Sequence, residues 1–150
     1  MKNEELRMKN HLTQVLCVGM VICSFMLLSG CKGDRCDTPF GEGGSINLLM
    51  PEFNNLYNNP GATLVINRGY RGILVHCVAL GQYAAFECAC PKDHETRMEP
   101  DDDRYAIMLT CPDCGSRFEL TYGNPLEGAS TSCPLYAYNT AYDGQVLEIW

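Results

Sequence analysis

Two short segments of the chain combine cysteine with proline, and one of them also carries a histidine. Box 1 is Cys88-Ala89-Cys90-Pro91-Lys92-Asp93-His94, and box 2 is Cys111-Pro112-Asp113-Cys114-Gly115. The two thiolates of box 2 are close enough in sequence to bind one metal ion, and Gly115 lets the backbone turn so that its N–H groups face the sulfurs. Two loops that supply two ligands each are the usual arrangement of a four-coordinate site. The boxes therefore predict a metal centre.

Short apolar runs separated by turn residues fill the chain from residue 45 onward, and each box directly follows such a run. They predict β-strands at residues 46–50, 62–66, 72–79, 82–87, 105–110, 117–121, 135–140 and 146–150. Asp143-Gly144 between two runs is a strong hairpin signal. Only residues 51–57 are compatible with a single helical turn. The pattern predicts an all-β protein, an antiparallel sandwich or small barrel, with both boxes on loops.

The composition narrows the classes of function. The chain has 150 residues with 10 cysteines, a density typical of disulfide scaffolds and metal sites. Its 11 basic and 18 acidic side chains give a net charge of −7, and no Lys/Arg cluster is present, so a nucleic-acid partner is not expected. The sequence offers no Ser/His/Asp set and no Gly-rich phosphate loop, which argues against a hydrolase.

The first thirty residues have the pattern of an export signal. Lys2, Arg7 and Lys9 precede an apolar run at residues 12–28, which continues as Ser29-Gly30-Cys31. This ending resembles a bacterial lipobox, in which the cysteine thiol is acylated, for example with palmitate, and becomes the first residue of the mature protein. The alternative is a transmembrane anchor of about 17 residues, which is short for a bilayer and leaves Cys31 unexplained.

These features predict three parts of the chain. Residues 1–30 form a lipoprotein signal peptide, residues 31–44 a tether that begins at the lipid-bearing Cys31, and residues 45–150 the folded domain. The protein is then expected in the bacterial cell envelope as a membrane-anchored lipoprotein, facing the periplasm or the cell exterior.

The domain resembles the Rieske family over residues 60–150. Rieske domains read Cys-Pro-x-His-Gly-Ser-x-Phe, a strand, Gly-x-x-Leu-x-Gly, Pro-Leu, a strand and Asp-Gly, and residues 109–149 are similar to this order. Residues 83–94, YAAFECACPKDH, resemble the strand and first cluster box of the family. Cysteine-rich envelope lipoproteins of the Bacteroides group look similar. The resemblance implies a Rieske-like antiparallel fold with a two-loop metal-binding subdomain, a [2Fe–2S] cluster, and electron transfer with a redox protein partner.

The ligand boxes depart from the Rieske pattern. A Rieske centre binds one iron through two cysteines and the other through two histidines. Cys90 and Cys111 match the two cysteines, but Lys92 and Cys114 stand where the family has histidine. The third loop, Gly128-Ala129-Ser130, lacks the proline of the loop that usually shields the cluster. A cluster with fewer histidines is expected to have a lower reduction potential.

Two ligand sets remain open. The preferred set is Cys90, His94, Cys111 and Cys114, and the other replaces His94 with Cys88. The 16 residues between His94 and Cys111 match the gap that Rieske domains leave between their boxes. Of the eight cysteines from Cys31 onward, the lipid-bearing Cys31 and the preferred set leave an even number that could pair in an oxidising envelope, namely Cys36, Cys77, Cys88 and Cys133.

Three interpretations of the boxes follow from these observations. The first is a [2Fe–2S] centre for electron transfer, and the second is a structural zinc site in a binding or assembly module. The third is a metal-free domain in which disulfides such as Cys90–Cys111 or Cys111–Cys114 join the loop tips. In each case an electron-transfer or accessory protein is expected rather than a catalyst, and Arg117 and Phe118 are expected to support box 2.

Overall fold

The computed structural model describes residues 36–150. This part of the chain forms ten strands and no helix: β1 (Gly44–Asn47), β2 (Thr63–Ile66), β3 (Ile73–Ala79), β4 (Gln82–Glu87), β5 (Glu99–Pro100), β6 (Met108–Thr110), β7 (Arg117–Glu119), β8 (Ala137–Tyr138), β9 (Thr140–Tyr142) and β10 (Val146–Ile149). The strands form three antiparallel sheets with the orders β1-β10-β9, β2-β3-β4-β8 and β5-β6-β7. The predicted all-β, antiparallel fold class is confirmed. None of the described residues belongs to a helix that could span a membrane.

Each of the eight predicted runs overlaps a strand, but three details differ. The run at residues 135–140 is divided, because β8 pairs with β4 whereas β9 pairs with β10. Asn139 lies between them and exchanges two backbone hydrogen bonds with Trp150. The short strand β5 was not predicted, since Glu99 and Pro100 are not part of an apolar run. Residues 51–57 form consecutive turns rather than a helical turn.

The Asp143-Gly144 hairpin is present between β9 and β10. Oδ1 of Asp143 accepts hydrogen bonds from the backbone N–H groups of Gln145 (2.8 Å) and Val146 (2.7 Å). Gly144 has a φ of 104°, a conformation that glycine adopts without steric cost. The local sequence therefore fixes this turn.

The four-stranded sheet is buried on both faces. Successive side chains of a strand point to opposite faces, and in β3 all of them from Ile73 to Val75 are buried. Ile73 and Val75 belong to a core cluster that includes Leu147 of β10. Leu74 belongs to a second cluster, together with Phe118 of β7. The second cluster also contains Cys88, Cys90 and Cys111, so it is the support of the two boxes.

A disulfide joins Cys36 to Cys133 across 97 positions of the chain. In the chain-entropy account, closing a loop of that size stabilises the fold by about 4 to 5 kcal/mol. The next residues lie against the domain as well: Glu42 accepts a hydrogen bond from the N–H of Gly69 (3.0 Å). The described part of the predicted tether is thus attached to the domain. The predicted signal peptide and Cys31 lie outside the described residues.

Glu87, the last residue of β4, is a fully buried carboxylate with four hydrogen-bond donors. Oε2 accepts from the N–H of Tyr70 (2.8 Å) and the hydroxyl of Tyr138 (2.7 Å). Oε1 accepts from the N–H of Arg71 (2.8 Å) and of Ala89 (3.3 Å). One side chain therefore joins the β2–β3 turn, β8 and the first residues of box 1.

We expect Glu87→Ala to lower the free energy of unfolding by roughly 3 kcal/mol or more, since four donors lose their buried acceptor. Tyr138→Phe removes one of these bonds and should cost about 1 to 2 kcal/mol. Urea unfolding followed by circular dichroism measures both. Glu119 is a matched control, because its carboxylate accepts backbone hydrogen bonds in an exposed turn. Equal losses for Glu87→Ala and Glu119→Ala would contradict the assigned role.

Candidate metal centre

The two boxes follow strands of two different sheets. Box 1 follows β4, and its Cys90 donates a backbone hydrogen bond to the carbonyl of Thr96 (3.0 Å). Box 2 connects β6 to β7, where Cys111 donates to the carbonyl of Ser116 (2.9 Å). Each box is therefore a closed loop whose base is fixed by backbone pairing.

Three of the predicted ligands come together. The sulfur atoms of Cys90, Cys111 and Cys114 all lie within 4.8 Å of one another. The distance between the sulfurs of Cys90 and Cys114 is 3.7 Å. Cys90 and Cys111 are fully buried, whereas Cys114 is half-buried. The described residues thus form a compact group of three thiols that opens toward the surface at Cys114.

The two boxes fold into matching turns. The N–H of His94 donates to the carbonyl of Cys90 (2.8 Å), and the N–H of Gly115 donates to the carbonyl of Cys111 (2.9 Å). His94 and Gly115 both have left-handed backbones, with φ values of 63° and 70°. Each turn also directs backbone N–H groups at its first sulfur: that of Cys114 at Cys111 (3.5 Å), and those of Lys92 and Asp93 at Cys90. Such hydrogen bonds stabilise a thiolate.

His94 and Cys88, the two predicted candidates for the fourth ligand, make contacts away from the three sulfurs. The Nε2 atom of His94 lies 3.1 Å from the carbonyl oxygen of Pro91, within hydrogen-bond distance. Cys88 is fully buried in the apolar cluster, and its backbone pairs with Gly72 and Met98. Neither residue belongs to the group of three sulfurs.

The structure also shows which described cysteines form a disulfide and which are free thiols. Cys36 and Cys133 are paired, and the five other cysteines of the described range are free thiols: Cys77, Cys88, Cys90, Cys111 and Cys114. The disulfides Cys90–Cys111 and Cys111–Cys114, which the metal-free interpretation offered as examples, are therefore absent from this part of the chain.

Two serines lie against box 2. The Cys114 thiol donates to Oγ of Ser116 (3.1 Å), and the N–H of Ser130 donates to the same oxygen (2.9 Å). The hydroxyl of Ser130 donates to the carbonyl of Cys114 (3.3 Å). Sequence reasoning did not assign a role to either serine. Ser116 directly follows box 2, and Ser130 belongs to the third loop, which the Rieske resemblance places near the boxes; the contact itself depends on that loop folding back.

The support predicted for Arg117 and Phe118 can be located. Phe118 is fully buried in the cluster that contains Cys90 and Cys111. Arg117 is exposed, and its backbone pairs with Thr110 of β6. Phe118 therefore packs beneath the boxes, while Arg117 contributes through the hairpin ladder.

The thiols differ in their readiness to ionise. Burial raises the pKa of Cys90 to about 12, despite opposing hydrogen bonds from the backbone of Lys92 and Asp93. Burial also raises the pKa of Cys88 to about 12, with the charge of Arg97 acting in the opposite direction. Burial acts against ionisation of Cys114 too, but hydrogen bonds with Ser116, Cys111 and Cys90 outweigh it and hold its pKa below the usual value. Cys114 therefore ionises before Cys90.

In metal-free protein, we expect iodoacetamide to modify Cys114 first and at lower pH than Cys90, because the thiolate is the reactive form. Ser116→Ala should slow this reaction at a fixed pH, since it removes a hydrogen bond that lowers the pKa of Cys114. Peptide mass spectrometry after timed quenching measures both rates. Modification of Cys90 ahead of Cys114 would disprove the order.

Cys111→Ser and Cys114→Ser should each abolish metal binding, since each removes one of three sulfurs that converge on one point. Cys36→Ser is the matched control. It breaks the disulfide without touching the thiol group, so it should retain the metal at temperatures below its unfolding transition. Elemental analysis of the purified variants gives the stoichiometry, and an unchanged metal content in Cys114→Ser would rule out the site.

No protein-family profile and no curated protein matches the chain. Among solved structures, the fold is similar to the ferredoxin of carbazole 1,9a-dioxygenase from Nocardioides aromaticivorans IC177, with 17% identity, a TM-score of 0.45, and coverage of 71% of this chain and 96% of that chain. A complex of reduced oxygenase and oxidized ferredoxin in carbazole 1,9a-dioxygenase gives 19% identity, a TM-score of 0.43 and coverage of 72% and 94%. Such values are too low to assign a family, so the site has to be interpreted from its own residues.

Proposed function

We propose that this domain binds a metal centre through Cys90, Cys111 and Cys114 and transfers electrons in the bacterial envelope. The observation that carries the proposal is the convergence of these three sulfurs, from two separate loops, within 4.8 Å of one another. Three free thiols this close have a metal or a disulfide as their usual partner, and the structure contains no disulfide among them.

The first candidate for the centre is a [2Fe–2S] cluster. Thiolates are the standard ligands of such clusters, and when bound the cluster supplies one-electron redox chemistry. The position of the thiols suits exchange with a redox partner, because half-buried Cys114 lies between the exposed residues Asp113 and Gly115. A cluster needs a fourth ligand. His94 or Cys88 could supply it only by leaving its present surroundings.

The second candidate is a single zinc ion, and one distance favours it. Two thiolates on one tetrahedral ion, at Zn–S bonds of about 2.3 Å, lie about 3.8 Å apart. The sulfurs of Cys90 and Cys114 are 3.7 Å apart. The third sulfur lies within 4.8 Å of both, so the three sulfurs are spaced for one ion, whereas ligands on two different irons have to be spread wider.

Membrane attachment is the second half of the proposal. It rests on the sequence of residues 1–31, where a basic segment and an apolar run precede Leu28-Ser29-Gly30-Cys31. Acylation of Cys31 would anchor the domain to a lipid surface in the periplasm or at the cell exterior. The Cys36–Cys133 disulfide supports such an oxidising location.

The full chain, purified without oxygen, should contain metal in a fixed ratio to protein. Iron with acid-labile sulfide, visible absorbance and an EPR signal after reduction identify the [2Fe–2S] centre. A colourless protein with one equivalent of zinc identifies the second candidate, with a binding or assembly role instead of electron transfer. Absence of both metals, with Cys90, Cys111 and Cys114 still reduced, would refute the proposed metal centre.

A further inference from the structure

We propose that the carboxylate of Asp93 is the fourth ligand of the metal centre, beside the sulfurs of Cys90, Cys111 and Cys114. The inference rests on the proposed metal site and deepens it, because it names the ligand that completes the coordination. It replaces both ligands that the sequence suggested for this position, His94 and Cys88.

The turn at residues 90–94 of box 1 is equivalent to the turn at residues 111–115 of box 2. Both turns begin with Cys-Pro. In both, the N–H of the fifth residue of the turn donates to the carbonyl of its first residue, at 2.8 Å in the turn of box 1 and 2.9 Å in the turn of box 2. His94 corresponds to Gly115, since each is the fifth residue and has a left-handed φ. The fourth residue of the turn is then Cys114 in box 2 and Asp93 in box 1. Cys114 is a member of the thiol group, and Asp93 occupies the corresponding position of the other turn.

One carboxylate oxygen of Asp93 is buried without a hydrogen-bond partner. Oδ1 of Asp93 accepts hydrogen bonds from the N–H groups of Glu95 (2.9 Å) and Thr96 (2.8 Å). Oδ2 is buried and has no hydrogen-bond partner. A buried carboxylate oxygen without a donor is costly, and a cation is the partner that removes this cost. The bonds to Oδ1 fix the carboxylate while Oδ2 remains available.

The carboxylate lies outside the 4.8 Å group that the three sulfurs form. Box 1 must therefore close onto the ion for Oδ2 to bind. Asp93 belongs to the tip of box 1, and the two residues that follow it, His94 and Glu95, are partly or fully exposed. The movement thus involves a surface turn rather than the core.

Three thiolates and one carboxylate form a distinctive donor set. Zinc accepts Asp oxygen at about 2.0 to 2.2 Å, so the set is compatible with a tetrahedral ion. A carboxylate is a harder donor than a thiolate and is the weaker ligand for a soft metal. The position of Asp93 is therefore the one at which an outside ligand would exchange.

The test is titration of the reduced, metal-free full chain with Zn²⁺ and with Co²⁺, whose visible bands report the number of bound thiolates. Asp93→Asn keeps an oxygen for the turn but removes the charge, and it should weaken Zn²⁺ binding about tenfold or more. Asp93→Cys should strengthen binding and shift the Co²⁺ spectrum to that of four thiolates. His94→Gly, which suits the left-handed backbone, should leave both measurements unchanged.

Asp143→Asn is the matched control, because Asp143 accepts the same pair of backbone hydrogen bonds in an exposed hairpin away from the cysteines. Unchanged Zn²⁺ affinity in Asp93→Asn, or a loss in His94→Gly as large as in Cys111→Ser, would overturn the role of Asp93 while leaving the metal site in place. A wild-type chain that binds neither ion would refute the metal site itself.

Discussion

The hydrogen bonds of the buried Glu87 carboxylate hold together the parts of this domain that carry box 1. A charge without solvent is tolerated only when several donors surround it, and here the β2–β3 turn, β8 and Ala89 supply them. The hydroxyl of Tyr138 also accepts a hydrogen bond from the N–H of Gly41, which ties the N-terminal segment to the same point. Because Cys88 directly follows Glu87, the start of box 1 is held in place by the hydrogen bonds of this carboxylate.

The four-stranded sheet separates two apolar cores, one that joins it to the three-stranded sheet of β1, β9 and β10 and one that supports the boxes. On one face, β3 packs against the sheet of β1, β9 and β10. On the other face, Leu74 and Phe86 form an apolar floor beneath Cys90 and Cys111. Burial on this floor raises the pKa of the Cys90 thiol, so the proposed metal would displace a proton from that thiol, and its affinity would depend on pH.

The local sequence accounts for most of the fold. Short apolar runs between turn residues located all eight predicted strand regions, and Asp143-Gly144 located a hairpin, because both features act over a few neighbouring residues. The division between β8 and β9 was not predictable in this way. Asn139 ends one pairing and begins another because strands β4 and β10, distant in sequence, lie on either side of it.

The sequence by itself determined the all-β class and the two Cys-Pro boxes, and it singled out the three cysteines whose sulfurs converge, since these follow from residue types and short spacings. Only the tertiary structure decided which cysteines meet. It paired Cys36 with Cys133, buried Cys88 in the core, and brought Cys90 to Cys114. It also placed His94 at the turn position that corresponds to Gly115. Contacts between distant loops depend on how the sheets pack, and no local pattern encodes that packing.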